Sequence, residues 1–131
     1  MPSIFSKIIS GEIPCYKVAE TPNCIAFLDI YPIARAHTLV IPKKEVDYIF
    51  DLEEPIYNEL FLLAKRIAGG IEKIEKCARI GVAVVGLEVP HAHIHLIPIN
   101  NVYDIDFRKP KLKFTPEEFS AIASEIIDAM N

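Results

Sequence analysis

The stretch His91-Ala92-His93-Ile94-His95-Leu96-Ile97-Pro98 alternates imidazoles with apolar residues and then runs on in apolar ones. Side chains of a β-strand point to opposite faces in turn. A strand over His93–Ile99 therefore projects His93 and His95 from one face, and His91 joins them if Pro90 lets the strand begin there. Ala92, Ile94 and Leu96 point the other way, into a core. Successive imidazoles then stand about 7 Å apart, two residue rises of a strand. Each buried imidazole needs its own hydrogen-bond partner. Three in register on an apolar strand therefore read as a site and not as packing.

Working outward, Arg79–Val85 reads as a second strand, and the short link Gly86–Pro90 makes the two an antiparallel pair. Tyr16–Glu20 and Cys24–Asp29 form a hairpin around the turn residues Thr21-Pro22-Asn23. Asp29–Ala36, with Pro32, is a loop, and His37–Ile41 is a further strand ended by Pro42. Ile4–Ile9 is a short helical turn closed by Gly11. Ile56, Leu60, Leu63, Ile67, Ile71 and Ile74 fall on one stripe of a long helix. Asp51 or Glu54, with Pro55, opens that helix. Gly69-Gly70 in its interior costs roughly 1 kcal/mol per Gly relative to Ala and marks either a close packing contact or a bend. Thr115-Pro116-Glu117-Glu118 is a capping box that starts a closing helix through Phe119, Ile122, Ile126 and Met130. Asn101–Phe114 is irregular, and its Arg108, Lys109, Lys111 and Lys113 read as a solvated arm. The expected architecture is α+β: one domain over residues 1–131 with a five-stranded, mainly antiparallel sheet, one long helix and a C-terminal helix.

Composition limits the function classes. The chain has 131 residues, 14 basic and 18 acidic, for a net charge of −4. That length fits one domain. That charge argues against a protein that grips nucleic-acid backbones. With 51% apolar and 24% charged residues the chain has an ordinary globular balance. Met1–Ser10 lacks a targeting signal, and apolar runs such as Leu60–Ala64 and Val82–Val85 are too short to span a bilayer. The expected setting is the cytoplasm, with no membrane partner. Cys15, Cys24 and Cys77 are odd in number and scattered, which suits reduced, buried thiols.

The histidine run supports two chemistries. Three imidazoles can complete a catalytic zinc shell. Alternatively, one imidazole attacks phosphorus while the others orient it and assist the leaving group. Spacing alone leaves both open.

The run resembles the signature of the histidine triad (HIT) family. Ile4-Phe5-Ser6-Lys7-Ile8-Ile9-Ser10-Gly11-Glu12-Ile13-Pro14 is similar to that family's N-terminal segment. Ala26-Phe27-Leu28-Asp29-Ile30, Pro32 and His37-Thr38-Leu39-Val40-Ile41-Pro42-Lys43 are similar to its second block. The resemblance implies a homodimer whose sheets join, and nucleotidyl transfer or hydrolysis at an α-phosphorus of a purine nucleotide. His93 would be the nucleophile and form a nucleotidyl-histidine. His95 would contact the α-phosphate or the departing group and help with its proton, while His91 and His37 complete the imidazole network that orients His93. Asp29 would take the ribose hydroxyls. Ile4, Phe5, Ile8, Phe27 and Ile30 would enclose the base.

Two departures shape the expectation. The pre-triad link Gly86-Leu87-Glu88-Val89-Pro90 is shorter than the family's phosphate-binding segment and lacks its Asn. Backbone N–H groups of Leu87, Glu88 and Val89 would cradle the phosphate there, and the Glu88 carboxylate would favour a cationic or amine-bearing leaving group. Ser3, Ser6 and Glu45 stand where zinc-binding relatives carry Cys and His, so neither a metal nor another cofactor is expected. Hydrolysis of purine nucleoside phosphoramidates is the leading expectation. Hydrolysis of dinucleoside polyphosphates and a nucleotide-binding module of little activity are the alternatives.

Overall fold

Cys24–Leu28 and Thr38–Pro42 are buried at every position. A strand apolar on both faces needs cover on both faces, and the structure supplies it. The computed structural model describes residues 2–131. In chain order it contains α1 (Ile4–Ile9), β1 (Lys17–Glu20), β2 (Cys24–Leu28), β3 (Thr38–Pro42), α2 (Glu54–Ile74), β4 (Arg79–Ala83), β5 (Ile94–Ile99) and α3 (Pro116–Met130). Single turns of 3-10 helix lie at Ile49–Asp51 and Val102–Asp104. The five strands form one sheet in the order β1-β2-β3-β5-β4, and every neighbouring pair is antiparallel.

The period-2 alternation divides the sheet into two faces. Cys24, Ala26, Leu28, Val40, Ile94 and Leu96 meet the stripes of α2 and α3, led by Leu60, Leu63, Ile67, Ile71, Ile122 and Ile126. Ile25, Phe27, Leu39 and Ile41 meet Phe5 of α1 on the opposite face. Register then builds a row on the α1 side. Phe27 stands opposite Leu39, and Leu39 opposite His95. Beyond Leu28 the ladder continues through the Asp29 N–H, which donates to the His37 carbonyl at 3.0 Å. Asp29 and His37 therefore face each other at the end of the row.

Local signals account for the helix ends. Ser3 caps α1 by accepting from the Ser6 N–H. Thr115 and Glu118 form the expected reciprocal capping box. In α2 the first residue is Glu54 with Pro55 beside it, and no side chain caps it. Gly70 is a packing contact: a Cβ there would lie 2.7 Å from Met130 Cγ and 3.2 Å from the Ile126 carbonyl oxygen, so α3 packs against it. Gly69 faces open space.

Several expectations are corrected. The strand carrying the triad begins at Ile94, not His93, and the one before it ends at Ala83, not Val85. The connection is therefore residues 84–93 and not five residues. Its end is a turn, in which the His91 N–H donates to the Val89 carbonyl and the Ala92 N–H to the Val46 carbonyl, so pleating cannot begin at Pro90. β1 starts at Lys17, β2 ends at Leu28, and β3 runs from Thr38 to Pro42. Cys24 is fully buried, but Cys15 and Cys77 are only half-buried; all three are free thiols.

Asn101–Phe114 is not a free arm. Ile105 lies over Gly81 of β4 so closely that a Cβ at Gly81 would collide with its side chain. The Leu112 N–H donates to the Pro32 carbonyl at 2.8 Å. The segment is thereby strapped across the α1-side face of the sheet. Among the described residues, no helix is long and apolar enough to cross a membrane.

Candidate active site

A cleft of about 470 Å³ opens on the α1 side of the sheet. Ile4, Phe5 and Ile8 line it from α1, Phe27, Asp29 and Ile30 from the end of β2, and Leu87, Glu88 and Val89 from the link before β5. His37, His93 and His95 line its floor. The structure thus brings together every site residue expected from sequence except His91. That ring is wholly buried, behind Phe5, and does not reach the cleft.

The ring partners assign the tautomers. His93 Nδ1 lies 2.7 Å from the His91 carbonyl oxygen. A carbonyl can only accept, so His93 carries its proton on Nδ1 and the neutral ring keeps a lone pair on Nε2. At His37, Nδ1 accepts from the Ile33 N–H at 3.2 Å, which leaves the proton on Nε2. That proton points to His95 Nδ1 at 3.0 Å. His95 must therefore accept at Nδ1 and carry its own proton on Nε2. A bare Nε2 on His93 and an N–H on His95 then stand on neighbouring rings whose centroids are 4.9 Å apart. This separation is shorter than the expected 7 Å, because His93 lies ahead of the strand and its ring leans toward His95.

Burial keeps His37 and His95 neutral. Desolvation pushes the His95 pKa down to about 3, and the neighbouring His37, His93 and Lys111 act in the same direction. Desolvation likewise lowers His37 to about 4, helped by Lys111.

His91 belongs to a different network. Its Nε2 donates to the Pro42 carbonyl at 2.8 Å, and its Nδ1 accepts from Ser3 Oγ at 2.8 Å. Glu45 holds that serine in place: one carboxylate oxygen accepts from the Ser3 N–H at 2.6 Å and from Ser6 Oγ at 2.7 Å. These bonds hold the Glu45 carboxyl down to about 2. Ser3, Ser6 and Glu45, which depart from a zinc shell, thus form a hydrogen-bonded clasp between α1 and the triad.

Asp29 is partly committed. One oxygen accepts from the Tyr31 N–H at 2.8 Å, and the other lies 3.5 Å from His37 Nε2. Asp29, His37 and His95 bring ligand-type atoms within 4.8 Å of one another. A cation there would need a bare Nε2 on His37, and the Ile33 N–H forces the proton onto that nitrogen. A triad-held metal fares no better, since both ring nitrogens of His91 are already engaged.

Among the cleft residues that sequence reasoning missed are Phe107 and Lys111. Phe107 covers His95 and His37, with its ring centroid 4.6 Å from that of His95 and 6.3 Å from that of His37. Both residues sit in the irregular segment, where no periodicity marks the inward side.

The HIT domain family model matches residues 10–102. An adenosine 5′-monophosphoramidase of Schizosaccharomyces pombe is 36% identical over 129 residues, covering 96% of each chain. The adenosine 5′-monophosphoramidase of Saccharomyces cerevisiae is 38% identical over 96 residues, 72% of this chain and 61% of that one. The crystal structure of a HIT-like protein from Bartonella henselae superposes with a TM-score of 0.85 at 31% identity, covering 97% of this chain and 95% of the other. With the sheet order, the row of imidazoles and the matched family model in agreement, the chain belongs to the HIT family.

Proposed function

We propose that this protein hydrolyses purine nucleoside phosphoramidates, with adenosine 5′-monophosphoramidates as the substrate class, through a nucleotidyl-histidine. The observation that carries the reading is the 2.7 Å bond from His93 Nδ1 to the His91 carbonyl, which aims a bare Nε2 into the cleft. The two adenosine 5′-monophosphoramidase relatives support the choice of substrate.

The base lies among Ile4, Phe5, Ile8, Phe27 and Ile30, and Asp29 accepts from the ribose hydroxyls. Backbone N–H groups of Leu87, Glu88 and Val89 face the phosphate. His93 Nε2 attacks the α-phosphorus as the P–N bond breaks, and the leaving nitrogen departs as an amine with a proton taken from the medium. The nucleotidylated ring is now cationic, and its Nδ1–H bond to the His91 carbonyl strengthens as a charge-assisted bond. His95 Nε2–H donates to a phosphoryl oxygen, and His37 holds His95 in the donating tautomer. Water then attacks phosphorus, breaks the P–Nε2 bond and returns a proton to the medium. The nucleoside monophosphate leaves and neutral His93 is restored.

The proposed unit is a single HIT-like domain that acts as a homodimer in the cytoplasm. Among the described residues β4 lies at the sheet edge, pairs only with β5, and exposes Val82, which suits sheet continuation across two copies. The test is rapid acid quench during turnover of adenosine 5′-phosphoramidate, followed by mass mapping. An adenylate on His93 that is absent from His93→Ala is the expected result. Turnover with no adenylated histidine, or turnover that survives His93→Ala, overturns the reading.

A further inference from the structure

We propose that Phe107 is a positioning residue for this hydrolysis: its ring keeps water off the His37–His95 hydrogen bond and so holds the His95 proton on Nε2, the side that serves the phosphoryl oxygen. The consequence for catalysis rests on the α-phosphorus reading above. The effect on His95 rests on ring geometry alone.

The tautomer of His95 depends on one bond, from His37 Nε2–H to His95 Nδ1 at 3.0 Å. A neutral hydrogen bond in competition with water is a modest preference. Water at the pair accepts from His37 and frees His95 Nδ1 to carry the proton, which takes the donor off Nε2. The bond is therefore decisive only while the pair is dry. His37 and His95 are both buried. The Phe107 ring spans them, with centroids 4.6 Å from His95 and 6.3 Å from His37. Phe107 itself is half-buried and lines the cleft, so it stands between the pair and solvent. Two anchors on its own segment place it: Ile105 lies over Gly81 of β4, and the Leu112 N–H donates to the Pro32 carbonyl. Phe107 lies beyond residues 10–102, so this cover comes from outside the stretch that the HIT domain model matches. Three charged or titratable groups also act on the pair. Asp29, from the loop after β2, favours a charged His95 ring, whereas His93 and Lys111 oppose it. The Phe107 carbonyl accepts from Lys111 Nζ, a bond that truncation of the side chain keeps. Truncation therefore removes the cover and leaves these charges in place.

Long-range proton–nitrogen NMR on ligand-free Phe107→Ala reads the effect without any substrate. The two His95 nitrogens should move toward averaged positions as the proton divides between them. The titration midpoints of His95 and His37 should rise by about one pH unit or more as their burial is relieved. His91, held by Ser3 and the Pro42 carbonyl, should keep its signals. With adenosine 5′-phosphoramidate, kcat should fall about threefold to tenfold while KM stays within about twofold. Phe107→Leu restores an apolar cover and should recover most of both effects. Phe107→Gln, of similar length but polar, should recover neither. His95 nitrogens and midpoint unmoved in Phe107→Ala, all four rings moving together, or Phe107→Gln matching Phe107→Leu would each overturn the proposal. The last comparison decides if Phe107→Ala does not fold. If the wild type turns over no phosphoramidate, the proposed function fails on its own, and the NMR measurement still decides what Phe107 does to His95.

Discussion

His91 and His93 stand two positions apart, yet their surroundings differ in kind. His91 is wholly buried with both ring nitrogens engaged, by Ser3 and by the Pro42 carbonyl. His93 is almost as buried, but spends one nitrogen on a carbonyl and leaves the other facing the cleft. Burial therefore does not distinguish a structural imidazole from a reactive one; the count of engaged nitrogens does. The same repeat supplies a clasp at one position and chemistry at the next.

The largest effect should separate the two rings outright. His93→Ala is expected to lower kcat by about a thousandfold or more, while nucleotide affinity changes little. His91→Ala strands Ser3 Oγ and the Pro42 carbonyl, and is expected to cost about 2–4 kcal/mol of stability. Single-turnover kinetics and thermal unfolding on both variants check this. A His91→Ala protein of unchanged midpoint and abolished turnover would break the distinction.

Acid should act on the two regions in different ranges. His37 and His95 have folded pKa values of about 4 and about 3, against about 6.5 when unfolded. Below pH 6.5 the unfolded chain takes up protons that the folded chain refuses, so stability falls with pH until those folded values are passed. A tenfold weakening of proton affinity on folding corresponds to at most about 1.4 kcal/mol. His91 moves in the same direction, burial being the largest cause. Glu45 acts in the same sense but over a lower range. Its carboxyl is held to about 2, so its contribution is complete above about 4.5 and is lost only on further acidification. Urea midpoints measured between pH 8 and pH 3 should fall in both ranges. Glu45→Gln should weaken only the lower one.

Ser3→Ala tests the clasp directly. It removes both the α1 cap and the donor to His91 Nδ1, and should cost about 1–2 kcal/mol, with a loss in kcat/KM of less than tenfold. Differential scanning calorimetry and steady-state kinetics measure the two. Smallest, and outside both regions, is Gly69→Ala. It enters open space on α2 and should stabilise by up to about 1 kcal/mol without changing turnover, whereas Gly70→Ala should destabilise by overpacking against α3.

The faces of the sheet are legible in the sequence because alternation is a local property. Ala92, Ile94 and Leu96 do face α2 and α3, and His93 and His95 do face the cleft. The fate of His91 is not legible, because Pro90 and the bonds to Val89 and Val46 turn the chain before pleating begins. Ser3, Ser6 and Glu45 stand out as misfits to a metal shell, but their joint use as a clasp depends on contacts about 40 residues apart. Phe107 and Lys111 stay hidden for a related reason. A strap held by Ile105 on Gly81 and Leu112 on Pro32 has no period, so its inward residues emerge only from tertiary packing.

The central claim is that hydrogen-bond partners set each imidazole's tautomer, and through it each role. Long-range proton–nitrogen correlation NMR on the ligand-free protein at pH 7.5 reads this ring by ring. The expected pattern is a protonated Nδ1 with a bare Nε2 on His93, and a protonated Nε2 on His37, His91 and His95. A proton on His93 Nε2, or a bare Nε2 on His95, would contradict the account.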